Sequence, residues 1–399
     1  MQRTPQPRRS GIKKSRKKVT VGLFVTVVLS IAIFTVRSAP AQTYRTLHTF
    51  LPGEPHRPTG ELIADPAGNL YGTAFTGGDG LVGGVFKIDS GMGRGGPIYE
   101  FKGLPGDGSG PQSGLLADGL GNLYGTTSQG GAYGGGTVFK LNKSGEETVL
   151  HSFSGDPPHY DGQQPNNSLV LDSGNLYGAT WAGGGSGKAG ILYKLDMLGN
   201  ETILYKFSYT NGYPEPNLLL HGGRLYGVNY GDYYVFCGTV FRLNLATGVL
   251  ATLYDFGSIY DDRGCHPAGG VIRDASGTLY GATRSGGAFQ SGTVFKLDAT
   301  GRILTTLYHF TGYGDGGTPG SRLVMDGAGN LYGTTDAGGD FGYGVIFKLD
   351  PNGVLTVLHS FSEGGNYQHN SGLYMDAAGV LYGTTSAQDW NGSVYALTP

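Results

Sequence analysis

The sequence predicts an all-β protein: a seven-bladed β-propeller of four-stranded blades, closed by an N-terminal strand that completes the last blade. Three observations carry this expectation. The tripeptide Leu-Tyr-Gly occurs seven times, beginning at Leu70, Leu123, Leu176, Leu225, Leu279, Leu331 and Leu381. A spacing of about fifty residues marks one supersecondary unit copied and stacked. Each unit divides into four short apolar runs joined by Gly, Asn and Asp turns, and the fourth run appears once before the first Leu-Tyr-Gly and is missing after the last.

The unit ending at Phe361 shows the four runs in order. Arg322 to Asp326 reads as strand a, and Gly327-Ala328-Gly329-Asn330 as a turn with Gly where positive φ is needed. Leu331 to Thr335 is strand b. A loop through Gly338-Gly339 leads to strand c, Val345 to Leu349, and Asp350 to Gly353 turns the chain into strand d, Thr356 to Phe361. Four strands joined by hairpins make a meander. Strand c recurs around Phe86, Phe139, Tyr193, Phe241, Phe295 and Tyr395. Strand d ends at Phe50, Phe101, Phe153, Phe207, Phe256, Phe310 and Phe361, with His or Tyr two residues earlier.

The first of these d strands, Thr46 to Phe50, precedes any complete unit, and the last unit stops after strand c. An open row of units would expose two sheet edges, which proteins avoid. A closed ring with radial four-stranded units removes both.

Residues 1–41 are different in kind. They carry a basic stretch from Arg3 to Lys18, an uncharged apolar run from Val19 to Val36, and Ala39-Pro40-Ala41 before Gln42. That is the layout of a secretory signal peptide. The apolar run is also just long enough for an N-terminal membrane anchor. Domain assignment is therefore 1–41 as signal or anchor and 42–399 as propeller. Nine of the 28 Lys and Arg residues lie in the leader and none of the 30 Asp and Glu, leaving 19 basic against 30 acidic residues and a net charge of −11. So acidic a domain excludes nucleic acid as a partner, and leaves a membrane only through an uncleaved leader. Glycine contributes 75 residues without the collagen period, and aromatics 12%, which fits many short strands with tight turns.

The run Leu-Tyr-Gly-Thr-Thr, the Gly-Gly loop, Gly-Thr-Val-Phe-Lys-Leu and Thr-Val-Leu-His-Ser-Phe together resemble the Gloeo-Verruco tandem repeat over about residues 45–398. That resemblance implies an exported bacterial repeat domain of unknown activity and supplies no catalytic residues.

Most residues that stand out recur because geometry requires them. Asp65, Asp118, Asp172, Asp274, Asp326 and Asp376 close strand a, and read as carboxylates accepting backbone N–H groups in the following turn. The Asp-Gly-x-x-Pro segments at Asp107, Asp161 and Asp315 read as turns in the loops from strand d to strand a; they lack the alternating acids of a calcium loop. His48, His151 and His359 alternate with Tyr on strand d and read as rings filling a slot between blades. No hydrolase elbow or zincin motif occurs, and no cofactor or metal is expected.

The residues that break the repeat are the candidate binding set. They are Trp181, Tyr230, Tyr233 and Tyr234 in loops from strand b to c, Asp261, Asp262, Arg263 and His266 in the following d–a loop, and Trp390 in the last unit. Exposed aromatics beside carboxylates suit a glycan, peptide or protein ligand. The two cysteines, Cys237 and Cys265, lie in neighbouring loops of an exported chain and are expected to form a disulfide. The expected function is a monomeric, non-catalytic binding module in the periplasm or at the cell surface. The alternative is a lyase or hydrolase on the same face, using Asp261 or Asp262 with His266 as acid and base.

Overall fold

A computed structural model of the chain describes residues 42–399 apart from 91–92, 104, 156, 158, 186, 210–211, 232–235, 259–261, 363–371 and 387–391. The leader therefore lies outside the described residues.

The described residues form seven antiparallel sheets of four or five strands and one two-stranded pair, Gly162–Gln163 with Ala182–Gly183. Blade 6 is representative. Leu331–Ala337 pairs with Val345–Leu349, which pairs with Leu355–Ser360 on the outside. The innermost strand comes in two pieces, Gly317–Pro319 and Val324–Met325, both paired with strand b. This corrects the sequence reading, which left the Asp-Gly-x-x-Pro segment in a loop. Gly108–Pro111 in blade 2 does the same. Strand a thus begins earlier than its apolar run suggests, and the break between its pieces lies where each blade meets the axis.

The ring closes as expected. Thr43–Thr49 pairs antiparallel with Ser393–Thr398, from Thr43 opposite Thr398 to Thr49 opposite Ser393. It becomes the outer strand of a last blade that also contains Tyr374–Met375 and Leu381–Thr385.

Each residue of Leu-Tyr-Gly has its own reason. The leucines are buried, between 0 and 8% exposed. The tyrosine hydroxyl donates to the Asp that closes strand a: Tyr71 to Asp65 at 3.0 Å, Tyr332 to Asp326 at 3.0 Å, Tyr382 to Asp376 at 3.0 Å. The carboxylates of Asp65, Asp118, Asp326 and Asp376 accept the backbone N–H groups two and four residues on, and Asp274 that four residues on, so the expected Asx turns form there. Asp172 departs from the expectation, because its two-residue hairpin pairs it with Asn175, and among the described residues only Ser173 Oγ bonds its carboxylate. Burial pushes the pKa of Asp326 up, but hydrogen bonds from Asn330, Tyr332 and Ala328 outweigh it and hold the carboxyl below its usual range. The glycine makes room for the strand c aromatic, since a Cβ at Gly72 would lie 2.5 Å from the Phe86 ring.

Between blades, each terminal Phe of strand d packs against the strand c aromatic of the next blade. Phe50 meets Phe86 edge-on at 5.0 Å, Phe101 meets Phe139 at 5.1 Å, and Phe361 meets Tyr395 at 5.9 Å. All seven of these phenylalanines are buried. Such pairs contribute about 0.5–1.5 kcal/mol each beyond the area they bury.

Candidate functional site

Because strands a and b are antiparallel, the start of a and the end of b share one end of the propeller with the d–a and b–c loops. Two groups of residues gather there.

The first lies on the axis. Each blade contributes the residue directly before the buried apolar residue that resumes strand a: Glu61, Gly114, Ser168, Asn217, Gly270, Arg322 and Gly372. These seven face one another. The Asn217 amide donates to Glu61 Oε1 at 2.9 Å across 156 residues of sequence, and Arg322 Nη1 lies 3.8 Å from Glu61 Oε2. Gly114 N–H donates to Ser168 Oγ at 3.1 Å. Gly372 leaves room for the Glu61 carboxylate, which a Cβ there would displace.

Toward the loop end, Thr59, Gln112, Asn166 and Glu215 form a second layer, and with Glu61, Gly114, Ser168 and Asn217 of the first they line a cavity of about 200 Å³ that Arg284 also borders. Arg284 Nη1 bonds Asp336 Oδ2 at 3.0 Å. Asn167 donates to the Glu215 carbonyl at 2.8 Å.

Burial raises the pKa of both axial carboxyls. It pushes Glu215, 8% exposed, up to about 7 against the opposing charge of Arg284, and it raises Glu61 against Arg322. Several buried polar atoms here have no hydrogen-bond partner: Thr59 Oγ1, the side-chain oxygens of Asn166, Asn167 and Asn217, and Arg322 Nε. An orphaned buried polar atom costs about 1–3 kcal/mol unless water or a ligand meets it.

The second group contains the loop aromatics singled out from the sequence. Trp181 stacks on Tyr213 with centroids 4.8 Å apart and planes 13° from parallel, and lies 6.5 Å from Tyr230. Tyr230 stacks on His266 at 4.6 Å. His266 is 8% exposed, and its Nδ1 is 2.7 Å from Ser285 Oγ. These rings form one ladder across blades 3, 4 and 5. Beneath it runs the Cys237–Cys265 disulfide, with Cα atoms 4.6 Å apart and both residues buried.

The structure therefore brings Trp181, Tyr230 and His266 together and adds Tyr213, which the sequence reading did not select. Asp262 and Arg263 are exposed, and the Arg263 guanidinium sits 5.6 Å from the Tyr254 ring on the outer strand rather than joining the ladder. Tyr233, Tyr234, Asp261 and Trp390 lie outside the described residues. Around the same end, Tyr133, Phe289 and Phe341 occupy equivalent positions two residues after the Gly-Gly of the b–c loop, Leu81 lies one residue further on in its loop, and all four are more than half exposed.

The axial residues escaped sequence reasoning because each belongs to a different repeat. Their signal was one variable column, directly before an apolar residue present in every unit.

The sequence pattern of the Gloeobacter/Verrucomicrobia repeat matches residues 30–234 and 223–399. No curated protein matches the sequence. Among solved structures, an oligogalacturonate lyase in complex with manganese superposes with a TM-score of 0.58 at 12% identity, over 90% of this chain and 96% of the lyase. A gluconolactonase from Xanthomonas campestris gives a TM-score of 0.45 at 14% identity, over 88% of this chain and 99% of the other. At such identities the likeness is one of fold.

Proposed function

The chain belongs to the Gloeobacter/Verrucomicrobia repeat family, and from that premise we propose that it is an exported, non-catalytic binding propeller whose axial pocket takes a small hydroxyl-rich ligand, the end of a glycan. The carrying observation is the set of buried, unpartnered side-chain oxygens on Thr59, Asn166 and Asn217 around one small cavity that the Arg284 guanidinium also lines. Sugar hydroxyls both donate and accept, so a single ring can meet acceptors and donors that no protein group reaches. A cavity of about 200 Å³ is below the ~300–1,000 Å³ typical of drug-sized ligands, which suits one ring and not a polymer segment. Tyr133, Phe289 and Phe341, exposed on the loop end, offer apolar faces to the units that follow, and the Trp181–Tyr230 rings lie on the same end. The signal-like leader and the buried disulfide both support an extracytoplasmic location.

Glycan-array screening followed by calorimetry on the purified protein tests this reading. Asn217→Ala and Glu61→Gln should each weaken binding of a captured glycan at least about tenfold, the loss of one charge-assisted contact, while leaving the melting temperature within a few degrees. Unchanged affinity in both variants would remove the site from the axis. Release of shortened or unsaturated sugar would replace binding with the lyase or hydrolase reading.

A further inference from the structure

One junction between blades departs from the others in its chemistry. At every junction the Tyr or His of strand d faces a residue from strand d of the next blade, four positions before that blade's own Tyr or His. Leu250, Leu304 and Leu355 fill this position beside Tyr205, Tyr254 and Tyr308 within shared apolar clusters. Tyr44 fills it over His359, and Gly95 fills it beside His48. Where strand d carries Tyr, its hydroxyl can also donate to the Asp of the following loop, as Tyr99 does to Asp107 at 3.0 Å and Tyr308 to Asp315 at 2.9 Å.

At the junction of blades 2 and 3 the strand d residue is His151, the loop acid is Asp161 and the facing residue is Glu201. The nearest ligand atoms of all three lie within 4.8 Å of one another. His151 Nε2 is 3.4 Å from Asp161 Oδ2, too long for a good hydrogen bond. Both His151 Nε2 and Glu201 Oε1 are buried without a hydrogen-bond partner. Asp161, 5% exposed, is anchored through its other oxygen by the N–H groups of Ser154 and Gly155 at 3.0 and 2.7 Å, which fixes its orientation.

We propose that His151, Asp161 and Glu201 form a divalent-metal site between blades 2 and 3, suited to Zn²⁺. One imidazole nitrogen and two carboxylate oxygens are a zinc donor set, and three protein ligands leave a fourth position for water. Tetrahedral zinc with bonds of about 2.05 Å places its ligand atoms ~3.3 Å apart, so the His151–Asp161 spacing already matches. The Glu201 oxygen lies within 4.8 Å of both, so closing the site requires it to move inward. Two carboxylates and a neutral imidazole carry the charge that balances a dication, which an apolar junction could not otherwise hold without cost. Blades 1 and 2 supply an internal control: Tyr99, Asp107 and Glu147 occupy the same three positions without an imidazole.

Metal content and calorimetric titration of the purified protein with Zn²⁺, compared with Mn²⁺ and Ca²⁺, test the site. The expected result is one Zn²⁺ per chain and a higher melting temperature on binding. His151→Tyr and Glu201→Leu, each the residue used at other junctions, should fold and lose at least tenfold in Zn²⁺ affinity, while Glu147→Leu binds as before. Absence of stoichiometric uptake by the unaltered protein, or equal uptake by both site variants, overturns the proposal. If either variant fails to fold, the visible spectrum of the Co²⁺-loaded unaltered protein decides: an intense four-coordinate band supports the site, and the weak band of a hydrated ion overturns it.

Discussion

Tyr44 lies flat on His359, with ring centroids 3.8 Å apart and planes 2° from parallel. One residue comes from the first described strand and the other from the outer strand of blade 6. The N-terminal strand therefore does more than supply hydrogen bonds to Ser393–Thr398. It also provides the side-chain contact that the other junctions, apart from Gly95 beside His48, obtain from a neighbouring repeat, and Phe50 extends the same service to blade 1.

The seam should carry the stability of the whole ring. Phe50→Ala empties a fully buried site between the last blade and the first, and should cost about 3–5 kcal/mol. Calorimetry should show a single transition moved down as a unit. Loss of one small early transition with the main one unmoved would mean that the blades melt separately.

The seam should also weaken in acid. Burial holds the pKa of His359 below its ordinary value, so the folded protein binds that proton less readily than the unfolded chain. Stability from this group is full above about pH 6.5, the unfolded value, and is lost as pH falls through the lower folded value. His359→Tyr, the alternative other blades use, should flatten the melting temperature between pH 7 and 5. An unaltered slope would remove His359 as its source.

The disulfide closes a segment of 28 residues, worth roughly 3–4 kcal/mol by the chain-entropy estimate. Unfolded, non-reduced protein should show no titratable thiols, and Cys237→Ala with Cys265→Ala should lower the melting temperature by several degrees. Any glycan affinity should persist in the double variant if the ligand sits on the axis, and fall if the aromatic ladder above the disulfide holds it.

Glu215 should make the pocket pH-sensitive. Its folded pKa is raised to about 7, while the unfolded chain ionises near 4.3. The penalty on the fold therefore grows from about pH 4.3 to about 7 and is constant above. Glu215→Gln should stabilise the protein by up to about 3 kcal/mol at pH 8 and have little effect at pH 4. Denaturant melts at the two pH values measure the difference; equal effects at both would mean Glu215 is ionised throughout.

The fold was legible because every repeated residue solves a repeated packing problem. Leu331 fills the core, Tyr332 donates to Asp326, and Gly333 leaves room for Phe347. Those needs recur in each blade, so they recur in the text. The disulfide was legible from the leader's signal-like layout, which led to an expectation of export, and from there being only two cysteines. The axial ring was not, because Glu61, Asn217 and Arg322 meet only when the ring closes, and no local motif links residues 156 positions apart. The aromatic loops were found for their composition, but composition could not tell that Trp181, Tyr230 and His266 stack on one another while Arg263 turns to Tyr254.

The pairing of Thr43–Thr49 with Ser393–Thr398 sets the order of synthesis against the order of assembly. The strand made first waits for the strand made last, across nearly the whole domain, and joining ends so far apart is slow. Until the final residues arrive, the last sheet has an unpaired edge that can recruit another chain. A product shortened at either end keeps that edge for good. Closure of the circle thus tests the chain for length: only a finished copy hides its own adhesive surface, and incomplete ones are left visible to proteases and to each other.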